Sequence, residues 1–324
     1  MTRKGWGNSV KNNYSWENKM VKKKVLITGA AGFLGKRLAK RLNNEDYHPC
    51  LTSLESNKDL SIEKLNLLNY SDIEKVIKKT KPAIVYHLGA LVNLSRDYEV
   101  AQQCIGVNIK GTLNLLESLR IFPPKKFIFT STEEIYGDNP LPFKENQLPQ
   151  PPSTYSISKI AAENLCKMYA QALGFSLVIF RIGTIYGSEQ PLSRFIAQII
   201  VKALENEDIL INSGEKKRDY VYIENVVDAL ILSQKIKLEH QIETINLGGQ
   251  RSYQLKRLVE MIIKLTKSKS RVTIGAFPDR VSEADEWLMD ITKAKKLLNW
   301  KPTTSLESGL KQTINYFKEN INKI

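Results

Sequence analysis

A tyrosine and a lysine at helical spacing are the first side chains whose types could do chemistry. In the segment YSISK, Tyr155 and Lys159 occupy positions i and i+4, which share one face of an α-helix. A lysine ammonium beside a phenol lowers the phenol's pKa from about 10 towards neutral pH, so that the phenolate can take a proton from an alcohol. This spacing is common by chance, but a hydroxyl residue earlier in the chain, Thr132, makes the combination more specific.

A glycine-rich turn predicts a phosphate-binding site near the start of the chain. The sequence GAAGFLG follows the apolar run KVLIT and precedes a segment with helical spacing. Glycine permits a tight turn and a close approach of backbone to a pyrophosphate, and the helix start offers free N–H groups and a positive dipole end. We expect a nicotinamide dinucleotide here, bound by Gly29, Gly32, Phe33, Leu34 and Gly35.

The end of the second predicted strand bears on which dinucleotide binds. An Asp or Glu at this point usually hydrogen-bonds the adenosine ribose of NAD, but Ser53 occupies it here. No carboxylate lies at the tip, although Glu55 is close. The usual argument for NAD is therefore missing, and the predicted cofactor is NAD(H) or NADP(H), with Ser53 among its contacts.

Strand and helix patterns alternate through the first half of the chain. Strands are predicted at 24–28, 48–53, 83–88, 126–131 and 177–181, and helices at 33–43, 71–80, 98–120 and after Pro151-Pro152. This alternation predicts an α/β fold with a Rossmann-type doubly wound parallel sheet. The alternation of strands and helices becomes less regular after Arg181, which indicates a smaller, mostly helical C-terminal lobe.

The predicted domain organisation has three parts. Residues 1–21 form a polar N-terminal arm, and residues 22–181 form the dinucleotide-binding domain, with returning segments near 219–248. Residues 182–324 form mainly a substrate-binding lobe.

Composition excludes several classes of protein. The 324 residues are 42% hydrophobic and 25% charged, which is typical of a soluble globular protein, and no apolar run is long enough to predict a membrane helix or a signal peptide. The net charge is +14, but the lysines are scattered, often beside glutamates, which favours small anionic ligands over nucleic acid. Three scattered cysteines and three scattered histidines predict no disulfide framework and no metal site, in a cytoplasmic setting.

Eight motifs together resemble extended short-chain dehydrogenase/reductases of the nucleotide-sugar epimerase/dehydratase branch, over about residues 22 to 318. They are TGAAGFLG, YHLGALV, VNIKGTLNLLE, TSTEEIYG, YSISK, RIGTIYG, RDYVYIENVVDA and DITKAKKLLNWKP. The branch contains UDP-galactose 4-epimerases and dTDP-glucose 4,6-dehydratases. The resemblance implies an enzyme that transfers hydride at C4 of a nucleotide-diphosphate sugar, and a homodimer.

The resemblance also implies roles for the matching catalytic residues. Tyr155 is the general acid or base. Lys159 holds the nicotinamide ribose and tunes Tyr155, and Thr132 hydrogen-bonds the reacting oxygen.

Four further positions match ligand-binding residues of these enzymes. Arg218 and Arg280 match arginines that bind the diphosphate, for which a planar guanidinium is well suited. Asn66 stands where an Asp often contacts adenine, and Thr184 stands where an Asn is frequent near the substrate. The change at Thr184 alters the expected contacts with the sugar.

Two adjacent carboxylates, Glu133 and Glu134, follow Thr132. Resembling 4-epimerases commonly have small residues here, whereas 4,6-dehydratases have an Asp-Glu pair that removes the C5 proton and expels the C6 hydroxyl. Uronate decarboxylases and some 4-keto-6-deoxy-sugar reductases also carry a glutamate in this segment. Paired carboxylates can have separated pKa values, so that one stays protonated and donates. Adjacent residues of an extended segment point to opposite sides, so we expect one carboxylate to face the sugar and the other to be solvated.

The reaction stays open between 4,6-dehydration and 4-epimerisation, both of which begin with C4 oxidation. An NADPH-dependent 4-keto-6-deoxy nucleotide-sugar reductase is the alternative, supported by Ser53 and by the segment GAFPDRVSEADEW, which resembles deoxysugar synthases. A non-catalytic nucleotide-sensing module is a remote alternative, because it predicts loss of Tyr155 or Lys159 and both are present.

Overall fold

A computed structural model describes residues 23–43, 47–279 and 284–321 of the chain. The predicted arm and Arg280 therefore lie outside the described residues. The strands are β1 (Lys23–Thr28), β2 (Tyr47–Ser53), β3 (Ile62–Lys64), β4 (Ile84–His87), β5 (Lys126–Thr132), β6 (Ser176–Ile182), β7 (Thr184–Tyr186), β8 (Ile209–Leu210), β9 (Lys217–Tyr222), β10 (Ile242–Leu247), β11 (Ser252–Gln254) and β12 (Val272–Thr273). The helices are α1 (Phe33–Asn43), α2 (Tyr70–Thr80), α3 (Tyr98–Cys104), α4 (Gly111–Ser118), α5 (Thr154–Leu173), α6 (Phe195–Glu205), α7 (Ile223–Lys235), α8 (Leu255–Thr266), α9 (Thr292–Leu298) and α10 (Leu306–Asn320).

Seven strands form one parallel sheet in the order β10-β6-β5-β4-β1-β2-β3. The chain builds outward from β1 to β2 and β3, and then returns to place β4, β5, β6 and β10 on the other side. The order therefore reverses between β1 and β4, and ligands of such sheets bind outside the carboxyl ends of the strands at this point. The predicted doubly wound sheet is confirmed.

Apolar side chains fill both faces of this sheet. Along β1, Val25 and Ile27 belong to one core, whereas Leu26 between them belongs to the other. On β5, Ile128 packs with the first core and Phe127 with the second. A strand buried on both faces reads as a continuous apolar run, which explains why the sequence pattern located these strands well.

Helix α5, which carries the YSISK segment, has well-defined ends. Ser153 caps its N-terminus by accepting a hydrogen bond from the N–H of Ser156, whose side chain in turn accepts one from the N–H of Ser153. The helix ends at Gly174, whose φ of +77° lies in the left-handed region that glycine adopts easily. These ends fix which residues of α5 meet the carboxyl end of the sheet.

The predicted helix over 98–120 is interrupted. It consists of α3, a π-helical segment (Ile105–Lys110) and α4. The C-terminal part also contains two small sheets, β11-β9-β7 and β12-β8, beside its helices. Among the described residues, no helix combines the length and apolar character needed to cross a membrane.

Candidate active site

Two glycines of the turn between β1 and α1, Gly29 and Gly35, have no room for a side chain. Gly29 has a φ of +71°, and a Cβ added there would lie 2.7 Å from the amide nitrogen of Gly89. A Cβ on Gly35 would lie 2.8 Å from the Cα of Ala30. The N–H of Gly32 donates to the carbonyl of Gly29 over 3.0 Å, which closes the turn. The turn thus exposes bare backbone where a phosphate can approach closely.

Helix α1 begins directly after this turn, with Phe33 and Leu34 as its first residues. The first N–H groups of a helix have no partner within it, and the helix dipole adds positive potential there. No acidic residue in the first turn of α1 opposes an anion. These features fit the pyrophosphate of a dinucleotide cofactor, as the sequence predicted.

The adenosine side of this site is expected beyond the ends of β2 and β3. Ser53 is the last residue of β2, is half-buried, and accepts a hydrogen bond from Leu65 through its carbonyl over 2.6 Å. Asn66 is exposed, and its Oδ1 accepts from the N–H of Leu68 over 2.9 Å. Both residues lie at the carboxyl edge of the sheet, and their contacts with a cofactor stay a prediction.

Thr132, Tyr155 and Lys159 lie on β5 and on the first two turns of α5, which pack against each other. Thr132 is the last residue of β5, and its side chain lies close enough to the phenol of Tyr155, the second residue of α5, to lower the pKa of that phenol. Lys159 lies one helical turn later, is buried, and places its Nζ 4.1 Å from the centre of the Phe129 ring. A hydroxyl, a phenol and an ammonium thus line one edge of the sheet.

Burial dominates the electrostatics of this group. It raises the pKa of Tyr155, and the nearby Glu134 carboxylate raises it further, whereas Arg194 and the hydrogen bond with Thr132 lower it. Burial also lowers the pKa of Lys159 to about 8, against opposing effects of Cys166 and Glu163. Burial of the phenolate thus outweighs the lowering by Arg194 and Thr132, and the lowering by the Lys159 ammonium stays a prediction.

His87 at the end of β4 lies behind the lysine. Its Nδ1 is 2.7 Å from the hydroxyl of Thr28, and its Nε2 is 2.9 Å from the hydroxyl of Thr112. Burial and the neighbouring Lys159 lower the pKa of His87 to about 3, so the ring is neutral. Both ring nitrogens are engaged within the protein, which makes His87 a packing residue that ties β4 to β1 and α4.

The two adjacent carboxylates do not lie on an extended segment. They begin a 3-10 turn (Glu133–Tyr136) that packs against α5, and both are buried, with 2% and 6% exposure for Glu133 and Glu134. The expectation that one of them is solvated is therefore wrong, because the turn folds against the helix instead of running into solvent.

The two carboxylates have different surroundings. Glu133 accepts a hydrogen bond from the Thr184 hydroxyl over 2.7 Å through Oε1, and its Oε2 is buried without a hydrogen-bond partner. Burial raises its pKa well above the usual range, and the neighbouring Asp219 raises it further, so that both favour the protonated form of Glu133. Glu134 instead acts on the phenol of Tyr155. Of the two, Glu134 thus has the direct electrostatic link to the predicted base.

Arg218 on β9 is buried rather than displayed. Its Nη1 donates to the carbonyl of Lys217 over 2.7 Å and to that of Ala284 over 3.3 Å, and its guanidinium stacks 4.1 Å from the centre of the Trp287 ring. A flat guanidinium fixed in this way has a defined orientation for an anion. Diphosphate binding by Arg218 stays a prediction, and Arg280 lies outside the described residues.

Two residues near Tyr155, Asn108 and Arg194, were not predicted from the sequence. Buried Asn108 donates to the hydroxyl of Ser158 over 2.9 Å, and that hydroxyl donates to the carbonyl of Tyr155 over 2.6 Å. Asn108 belongs to the recognised segment VNIKGTLNLLE, so its motif was a usable signal. Arg194, just before α6, donates to the carbonyl of Val92 over 3.3 Å and lowers the pKa of Tyr155. No sequence spacing distinguished Arg194 from other basic residues.

Comparison with protein families and curated proteins gives consistent results. The model of the NAD-dependent epimerase/dehydratase family matches residues 25–248. A UDP-glucuronate 4-epimerase of Thermodesulfobacterium geofontis is 31% identical, over 92% of this chain and 97% of the relative. A dTDP-glucose 4,6-dehydratase of Salmonella typhimurium is 28% identical, over 92% of this chain and 93% of the relative.

Solved structures show the same likeness. A UDP-glucose 4-epimerase of Thermotoga maritima with UDP-glucose is 29% identical and superimposes with a TM-score of 0.86, covering 92% of this chain and 99% of that one. A UDP-glucuronic acid 4-epimerase of Bacillus cereus, in complex with UDP-glucuronic acid and NAD, is 28% identical with a TM-score of 0.82, covering 91% and 99%.

Proposed function

The chain belongs to the NAD-dependent epimerase/dehydratase family, and from this premise we propose that it oxidises the C4 hydroxyl of a nucleotide-diphosphate sugar with bound NAD. The observation that carries the proposal is the contact of Thr132 with Tyr155, one turn from the buried Lys159, at the carboxyl edge of the sheet. The glycine turn at Gly29 lies at the same edge. NAD is the cofactor of the family, and the comparisons give NADP no specific support.

Each residue of the trio has a defined task in this proposal. Thr132 hydrogen-bonds the sugar oxygen and Tyr155 takes its proton, while the Lys159 ammonium binds the nicotinamide ribose and stabilises the phenolate. When bound, NAD would supply the acceptor for the hydride that leaves C4. The burial of Tyr155 and Lys159 strengthens these electrostatic effects, because the surrounding medium has a low dielectric constant.

We propose 4,6-dehydration as the reaction that follows C4 oxidation. Elimination needs an acid or base besides Tyr155, and buried Glu134 acts on the same phenol. The dehydratase relatives support this reaction. The second candidate is 4-epimerisation, which needs no further acid and is supported by the 31% identical UDP-glucuronate 4-epimerase.

A panel of nucleotide sugars tests the function. Purified protein is incubated with UDP-glucose, UDP-glucuronic acid, dTDP-glucose and their 4-keto forms, with and without NADPH, and products are analysed by mass and by NMR. Loss of water supports dehydration, and unchanged mass with inverted C4 supports epimerisation. Gain of two hydrogens only with NADPH would favour the reductase alternative. No turnover of any 4-hydroxy or 4-keto sugar would refute the proposed function.

Substitution of the two carboxylates separates their roles. Glu134→Gln is expected to stop elimination, with product formation falling about 10²-fold or more, while hydride transfer from C4 to the nicotinamide continues. Glu133→Gln is the matched control and should retain most activity, because burial already disfavours the ionised form of Glu133 and glutamine keeps the acceptor for Thr184. Equal losses in both variants, measured by mass analysis of product and by the absorbance of reduced nicotinamide, would contradict this assignment.

We also propose that the protein is a homodimer formed through the α3–α4 region and α5. Both carry exposed apolar side chains, with 51% exposure for Ile105, 49% for Ile157 and 53% for Met168. Burying such side chains in a helical interface is favourable. Analytical ultracentrifugation should give twice the monomer mass, and Ile157→Lys should shift the protein to monomers; a monomeric wild type would contradict this proposal.

A further inference from the structure

Lys159 does not form an ion pair with Glu163, although both residues lie on α5. Glu163 lies at position i+4 from Lys159 on α5, a spacing at which a lysine and a glutamate can pair. Among residues 23–43, 47–279 and 284–321, however, no carboxylate oxygen lies within 4.0 Å of the Lys159 ammonium. The Nζ instead lies over the Phe129 ring. Glu163 therefore has a different partner.

Arg181 on β6 engages both oxygens of that carboxylate. Its Nε donates to Oε1 of Glu163 over 3.2 Å and its Nη2 donates to Oε2 over 2.9 Å. The side chains of Glu163 and Arg181 are 0% and 4% exposed, so water does not compete for the pair. Nη1 of Arg181 donates to the hydroxyl of Tyr136 over 3.1 Å and to the carbonyl of Glu145 over 3.2 Å. Four hydrogen bonds thus fix the guanidinium in one orientation.

We propose that Arg181 is a positioning residue that withholds Glu163 from Lys159, so that the ammonium stays available to Tyr155 and to the cofactor. A bidentate pair with a planar guanidinium is stronger and more directional than a lysine–carboxylate contact. Without Arg181, the buried carboxylate would need another cation, and Lys159 is one helical turn away. The inference rests on the proposed function for its catalytic consequence, but not for its effect on cofactor affinity.

Two lysines of α5 could pair with a released Glu163. Lys167 is the nearer one, at 3.8 Å, but its side chain is 34% exposed and water already solvates its charge. Lys159 is only 3% exposed, so its ammonium gains more from a buried ion pair. The groups acting on Lys159 from its own helix are Glu163 and Cys166, and from β4 the neutral His87. Burial lowers the pKa of Lys159 to about 8, while Glu163 raises it. A released Glu163 would raise it further and would hold the ammonium in a new ion pair.

A comparison of two variants with the wild type tests this inference. Arg181→Met is expected to weaken NAD binding about tenfold and to move the alkaline limb of kcat upward by about one pH unit, because Lys159 becomes paired with Glu163. The double variant Glu163→Gln/Arg181→Met should recover most of the NAD affinity and bring the alkaline limb back down. A buried ion pair can often be replaced by neutral residues without loss of stability, which makes the double variant a suitable test of rescue. NAD affinity is measured by fluorescence titration and folding by thermal unfolding.

The alkaline limb of kcat distinguishes positioning from a merely structural role. If Arg181 only stabilised the fold, the alkaline limb would lie at the same pH in Arg181→Met as in the wild type, and that result would overturn the inference. If Arg181→Met does not fold, Arg181→Gln replaces it; an unchanged NAD affinity and alkaline limb in that variant would also overturn the inference. Wild-type protein that binds NAD but turns over no nucleotide sugar would refute the proposed function alone, since the affinity pattern can still appear.

Discussion

Tyr155→Phe is expected to lower kcat by about 10³-fold, within the range by which general acid–base catalysis contributes to rates. The substitution removes only the hydroxyl that meets Thr132, and phenylalanine fills the same buried space on α5. NAD affinity should change little, because the glycine turn and Lys159 are untouched. The measurements are single-turnover rates on the substrate found in the panel and a fluorescence titration with NAD.

The control for this variant lies on the same helix. Tyr169→Phe also removes a phenol hydroxyl from α5, where it donates to the Glu117 carboxylate, away from the trio. This control should keep wild-type rates and lose only the contribution of one partly exposed hydrogen bond, about 1 kcal/mol of unfolding free energy. Full activity in Tyr155→Phe would refute the assigned base, and equal losses in both variants would point to a general effect of altering α5.

Gly29→Ala is expected to abolish saturable NAD binding at millimolar concentrations and to lower the free energy of unfolding by about 2–4 kcal/mol. The φ of Gly29 is +71°, which is unfavourable for alanine, and the new Cβ would lie 2.7 Å from the amide nitrogen of Gly89. The turn after β1 must then move away from the backbone at Gly89, which follows β4. This movement would distort the predicted pyrophosphate site. Isothermal titration with NAD and chemical denaturation measure both effects.

Gly174→Ala separates backbone strain from crowding. Gly174 has a φ of +77°, close to that of Gly29, but nothing lies within 4 Å of a Cβ added there. This variant should lose only about 1 kcal/mol from the left-handed conformation and should bind NAD normally. If Gly29→Ala bound NAD as tightly as Gly174→Ala, the glycine turn would not be the pyrophosphate site.

Much of the fold was predictable because its strands are buried on both faces. A run such as the VLI of β1 is apolar at every position, and Gly29 after it needs a φ that other residues avoid. Such signals depend on local chemistry, and the predicted and observed bounds of α1 agree. The π-helical interruption at Ile105–Lys110 could not be predicted, because one extra residue in a helical turn hardly changes the spacing of the apolar residues.

The surroundings of Glu133 and Glu134 could not be predicted from neighbouring residues in the sequence. The sequence placed Glu133 and Glu134 after β5 and beside Thr132, but their surroundings depend on which distant segments fold against them. Thr184 donates a hydrogen bond to Glu133, burial and then Asp219 raise the Glu133 pKa, and α5 brings Tyr155 near Glu134. A pKa depends on burial and on charges distant in sequence, so no spacing rule could assign it.

Apolar runs, glycines and helical spacing were sufficient to predict the parallel sheet, the glycine turn and the candidate residues Thr132, Tyr155 and Lys159, because these signals act over a few neighbouring residues. The pKa shifts of these residues depend on the folded molecule. Desolvation raises the pKa of Tyr155 and lowers that of Lys159. The packing of β6 against α5 places Arg181 in an ion pair with Glu163. These effects arise from contacts between distant segments in a medium of low dielectric constant, where an ion pair or an unpaired charge has far more effect than it has in water.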